Sequence, residues 1–132
     1  MGFKQATTMI GNAANFEQVP ATAGESYTLG EALVLSGGAA TKCGATAIPE
    51  FICQQQLSGA GAGDQLAVTR VSELQELETT LSAAGTALKI GDKVTLHTDG
   101  EQVTATTASG VFMISAILDT AVGGKVRGYF RR

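Results

Sequence analysis

Apolar residues recur along this chain in short bursts with a period near two, separated by polar stretches that carry glycine. Leu66-Ala67-Val68-Thr69-Arg70-Val71 is one such burst, and Val126 and Phe130 share one face of another. Alternation over four to eight residues predicts half-buried strands. Strands are expected near 29–35, 40–45, 51–53, 66–71, 90–96, 102–107, 111–114 and 125–130. Residues 72–81 fit either of two patterns. Val71, Leu74, Leu77 and Leu81 suit a short helix, whereas Leu77, Thr79 and Leu81 suit a strand. The β-branched pair Thr79-Thr80 favours a turn at 72–75 and a strand at about 76–82. The amphipathic helices of ~10 or more residues that a doubly wound α/β fold requires are absent from the pattern. The expected fold is all-β, a small barrel or sandwich.

The bursts repeat. Leu29-Gly30-Glu31-Ala32-Leu33-Val34-Leu35 and Ile90-Gly91-Asp92-Lys93-Val94-Thr95-Leu96 each place an apolar residue, a glycine and an acid before a strand. Each is followed by a hairpin signal, Ser36-Gly37-Gly38 or Asp99-Gly100, whose glycines supply positive φ. Each then runs through a Thr/Ala-rich return segment to an apolar strand, Phe51-Ile52-Cys53 or Val111-Phe112-Met113-Ile114. The sequence therefore predicts two related β-units around one core.

Residues 1–24 do not share this order. Phe3, Met9, Ile10, Phe16 and Val19 are scattered among Asn, Gln, Thr and Ala with no clean period, and Pro20 interrupts any regular element. A tail in solvent has no need of five large apolar residues. The stretch reads as an extended arm that buries them against something else, leaving residues 25–132 as a single β-rich domain.

Composition narrows the functional classes. The chain has 132 residues, 44% hydrophobic and 16% charged, with 17 Gly and no Trp. That is one domain's worth of sequence, too apolar for disorder throughout. A net charge of −3 argues against a nucleic-acid binder. No stretch approaches the ~20 apolar residues of a membrane span, and the start lacks the apolar core of a signal peptide. Cys43 and Cys53 are too few for a disulfide framework and read as reduced, buried thiols of a protein made in a reducing cytoplasm. A weakly charged surface of small residues suits docking onto a partner.

Candidate chemistry is sparse. His97 is the lone histidine, with no Cys or carboxylate at ligand spacing, so no metal site is expected. No Gly-x-Ser-x-Gly elbow supports a Ser–His–Asp triad. Gly59-Ala60-Gly61-Ala62-Gly63 precedes a strand rather than a helix, so it reads as a mobile loop and not as a phosphate cradle. Glu73, Glu76 and Glu78 read as a solvated acidic run. Arg127, Arg131 and Arg132 form a basic tip suited to an acidic groove on a protein partner. Tyr27, Tyr129 and Phe130 are the candidates for a sugar-stacking patch. Neither an enzyme activity nor a cofactor is expected from this inventory.

Several segments in order are similar to one family. Tyr27-Thr28-Leu29-Gly30-Glu31-Ala32-Leu33-Val34-Leu35, Val68-Thr69-Arg70-Val71-Ser72, Glu78-Thr79-Thr80-Leu81-Ser82-Ala83 and Leu88-Lys89-Ile90-Gly91-Asp92-Lys93-Val94-Thr95-Leu96 resemble capsid decoration proteins. So do Val103-Thr104-Ala105-Thr106 and the final Gly124-Lys125-Val126-Arg127-Gly128-Tyr129-Phe130. These are the head-auxiliary or cement proteins of tailed bacteriophages, and the resemblance covers roughly residues 25–132. It implies a β-rich virion protein on the outer capsid surface, made in the host bacterial cytoplasm. It further implies a homotrimer that clamps adjacent copies of the major capsid protein, with no nucleic-acid, membrane or small-molecule partner. Phe3, Met9, Ile10, Phe16 and Val19 would then be the capsid-binding arm. A tail component or a carbohydrate-binding surface domain is the alternative.

Overall fold

The computed structural model describes residues 2–8 and 16–131. The described chain is all-β, with ten strands in two antiparallel five-stranded sheets and no helix. The first sheet runs in the order β1 (Lys4–Thr8), β7 (Gln75–Thr80), β10 (Lys125–Phe130), β9 (Phe112–Ile117), β8 (Lys93–Val94). The second runs β2 (Phe16–Pro20), β6 (Gln65–Arg70), β5 (Phe51–Cys53), β3 (Ala32–Ser36), β4 (Ala39–Lys42). The sheets pack together as a sandwich, as the alternating bursts require. Residues 72–81 resolve as turn then strand.

Side-chain alternation gives the second sheet two buried faces. Ala32 and Ile52 point to the first sheet and join Leu77, Leu81, Val94, Phe112, Ile114, Val126 and Phe130 in the main core. Leu33, Phe51, Cys53, Leu66 and Val68 point the other way, into a second cluster closed by Val19, Ala21, Tyr27 and Ala60. Tyr27 is wholly buried there, and its hydroxyl donates to the Ala40 carbonyl at 2.6 Å while accepting the Thr22 N–H at 2.8 Å. A buried phenol with both bonds made adds apolar area without leaving a polar atom unpaired.

The two β-units are more alike in space than in sequence. The order β2-β6-β5-β3 in one sheet recurs as β7-β10-β9-β8 in the other. Pro20 faces Gln65 as Thr80 faces Lys125, and Leu33 faces Phe51 as Val94 faces Phe112. Gly30 N–H donates to Cys53 O and Gly91 N–H to Ile114 O, both at 2.8 Å. Parallel bridges recur as well, Ala21 with Ala40 and Leu81 with Val103.

Three expectations are corrected. Residues 102–107 do not form a return strand; only Val103 bridges, to Leu81 and Leu96. The Asp99 carboxylate takes the N–H groups of Glu101 and Gln102, and beyond this turn the main chain bonds back to residues 95–97, through His97 N–H to Gln102 O and Thr104 N–H to Thr95 O, as an isolated bridge and not an extended ladder. The glycine segment 59–63 is no free loop. Ala60 is buried, donates its N–H to Glu25 O and accepts that of Gly24. The acidic run is not uniformly solvated. Glu76 accepts the Ser115 hydroxyl at 2.6 Å, and Glu78 is buried between two cations.

Candidate functional site

The N-terminal residues are placed by one aromatic anchor and two edge strands. β1 pairs antiparallel with β7, and Phe3 just before it enters the main core. Its ring lies 5.7 Å from that of Phe112 and 5.2 Å from that of Phe130, and the latter two are 5.1 Å apart. Tilted and edge-on contacts at these separations are the favoured geometry for aromatic pairs. β2 pairs with β6, buries Val19 in the second cluster and leaves Phe16 74% exposed. The arm residues therefore divide. Phe3 and Val19 are held within the chain's own core, Phe16 faces solvent, and Met9 and Ile10 lie outside the described residues. Among the described residues, nothing pairs with the outer side of β2 over Phe16–Gln18.

A groove of about 650 Å³ runs between these two edges, lined by Lys4 and Gln5 of β1, Gln75 and Leu77 of β7, Phe16 and Leu29. Gln75 is buried there and donates its amide to Gln5 at 3.1 Å. The groove gathers no nucleophile–base pair, and no cluster of three metal-ligating side chains occurs among the described residues.

The basic tip is partly committed. Arg127 Nε binds Glu78 Oε1 at 3.1 Å, and Lys4 Nζ binds Glu78 Oε2 at 3.2 Å. Register explains this triad, since Lys4 and Arg127 both stand opposite Glu78 on neighbouring strands. The Arg127 guanidinium and, after it, Lys4 hold the Glu78 carboxyl below its ordinary range. Arg131 lies over the Tyr129 ring, 5.0 Å from its centroid, and Arg132 is outside the described residues. The sugar-stacking patch does not form, because Tyr27, Tyr129 and Phe130 are all buried. His97 sits beside the Asp99 turn, with Nδ1 3.3 Å from the carboxylate. Cys43 and Cys53 are free and buried in different clusters, and burial pushes the Cys43 thiol up to about 12.

One buried acid escaped the reading of the sequence. Glu31 is 2% exposed; Oε1 accepts the Thr28 N–H at 3.1 Å, and Oε2 has no hydrogen-bond partner among the described residues. Burial raises its carboxyl above the ordinary value, with Thr28 and Lys42 opposing. A raised folded value means that Glu31 favours folding fully below the ordinary glutamate range. That contribution is lost as pH rises through the raised value. Glu78 has the opposite sign: its contribution is present above the ordinary range and lost as pH falls through the lowered value. Glu31→Gln is accordingly expected to raise the urea midpoint at neutral pH and flatten its change between mildly acidic and neutral pH. Parallel wild-type and variant profiles would contradict this.

The surface carries large apolar side chains instead of a polar constellation. Phe16, Leu29, Ile90, Leu118 and Val122 are each more than half exposed. Sequence periodicity did not single these out: Phe16 lies on an edge strand without alternation, and for the residues outside strands alternation says nothing about the tips of turns. Comparison with protein-family models and with curated proteins returned no match.

Proposed function

We propose that the chain is a structural virion protein that binds the outside of a tailed-phage capsid as a homotrimer and stabilises it by clamping adjacent major capsid subunits. The observation that carries this reading is the exposure of Phe16, Leu29, Ile90, Leu118 and Val122 on an otherwise well-packed, weakly charged sandwich. Large apolar side chains left in water around a complete core are available for a partner to cover. The ordered segments similar to decoration proteins supply the class of partner. Met9, Ile10 and Phe16 are assigned to the capsid contact, where the outer side of β2 offers main-chain groups for strand addition. Binding that exists only when neighbouring subunits are in place stabilises the shell by mass action, and three linked copies multiply modest contacts.

The test is pelleting with heads of the encoding phage from which the chain has been removed. Wild-type protein is expected to co-sediment to saturation. Phe16→Asp, at an exposed edge position, is expected to bind roughly tenfold more weakly with an unchanged far-UV spectrum. Protein that stays in the supernatant at every concentration contradicts the proposal.

A further inference from the structure

The two β-units display one surface element twice. In the first, Thr28-Leu29-Gly30-Glu31 is a tight turn closed by Glu31 N–H to Thr28 O at 3.1 Å, and Glu31 Oε1 accepts Thr28 N–H. In the second, Lys89-Ile90-Gly91-Asp92 is closed by Asp92 N–H to Lys89 O at 3.0 Å, and Asp92 Oδ2 accepts Lys89 N–H at 2.9 Å. The third residue is glycine with φ of +88° and +95° respectively, a conformation that L side chains rarely adopt. The turn therefore fixes the second residue at its tip. That residue is large and apolar both times, Leu29 at 52% and Ile90 at 62% exposure. One tip leads into β3 of one sheet and the other into β8 of the other sheet.

A single exposed leucine needs no explanation. Two large aliphatic side chains at corresponding places, each on a turn held by the same two hydrogen bonds and a positive-φ glycine, are a different matter. The acid closes the turn in both units although Glu31 is buried and Asp92 only half-buried. What is kept is the tip. Matched elements on one chain fit matched recesses, and matched recesses occur where a partner presents the same subunit more than once.

We infer that Leu29 and Ile90 are paired anchors that enter the same apolar recess on two neighbouring copies of one repeating partner subunit, so that a single chain bridges two subunits. This rests on the capsid reading, which makes that partner the major capsid protein. Each anchor then holds the other at high effective concentration, and neither suffices alone.

The experiment compares wild type, Leu29→Asp, Ile90→Asp and the double variant for binding to the same chain-free heads, with far-UV spectra to confirm folding. Each single variant is expected to lose roughly tenfold or more in affinity and to dissociate faster, and the double variant to lose saturable binding. The exchanged pair Leu29→Ile with Ile90→Leu is expected to bind like wild type, since both tips meet the same kind of recess. Should wild type bind while both single variants match it, or only one of them weaken, the paired-anchor inference is overturned and the capsid reading stands. If wild type itself fails to bind, the capsid reading falls first. Should an aspartate variant misfold, Leu29→Ser and Ile90→Ser decide by the same criteria.

Discussion

Replacing Phe3 by alanine is expected to destabilise the chain by about 3–5 kcal/mol, the usual cost of removing a buried phenylalanine. Phe3 is buried at the centre of an aromatic trio, and the void it leaves is bounded by Phe112 and Phe130 on strands that cannot collapse inward without breaking ladder bonds. For a domain whose total stability is on the order of 5–15 kcal/mol, that is a large share. Phe16→Ala, thirteen positions on, removes the same side chain from a mostly exposed site and is expected to change stability by less than about 0.5 kcal/mol. Urea denaturation of the three proteins checks the pair. If Phe3→Ala fell within about 1 kcal/mol of wild type, Phe3 would not be the core residue its geometry makes it. The same packing implies that deleting residues 2–20 strips an edge strand from each sheet and a buried side chain, Phe3 or Val19, from each cluster. The N-terminal stretch is in this sense no removable appendage.

The second large effect is expected at Gly128. β10 lies between β7 and β9, with an irregularity in register between Arg127 and Gly128. A methyl group at Gly128 would run into the Met113 carbonyl oxygen and stand 2.7 Å from the Phe112 ring. The carbonyl belongs to a paired strand and cannot rotate aside, so Gly128→Ala is expected to cost about 3 kcal/mol, the upper end of overpacking. Gly44→Ala is the control. Nothing lies within 4 Å of the added carbon, and the change is expected to stay within about 0.5 kcal/mol. Equal midpoints for the two variants would mean that β9 and β10 approach less closely than described.

Much of this architecture was legible in the chain. Alternation and glycine turns located most strands, and the apolar-Gly-acid motif exposed the duplication because the two units enter the matched strands β3 and β8 from the same turn. What stayed hidden depends on contacts between distant positions. Phe3 gains its site from Phe112 and Phe130, and Glu78 its two cations from Lys4 and Arg127, through registers that no local period records. β1 and β2 are edge strands, and β2 buries only Val19, so neither shows alternation. Residues 102–107 have strand-forming side chains and do bond back to 95–97, but the pairing stops at the single Leu96–Val103 bridge, with the Thr95–Thr104 hydroxyl pair beside it. The exposure of Leu29 and Ile90 follows from turn geometry and not from hydropathy, which by itself would place both inside.

The most direct measurement is heat-induced DNA release from chain-free phage heads, with and without saturating wild-type protein. The expected result is a rise in the release temperature that grows with added protein, stops at a fixed number of copies per head, and is lost in the Leu29→Asp/Ile90→Asp double variant. An unchanged release temperature at saturating protein, with no protein recovered on the heads, would contradict the assignment of this sandwich to the capsid surface.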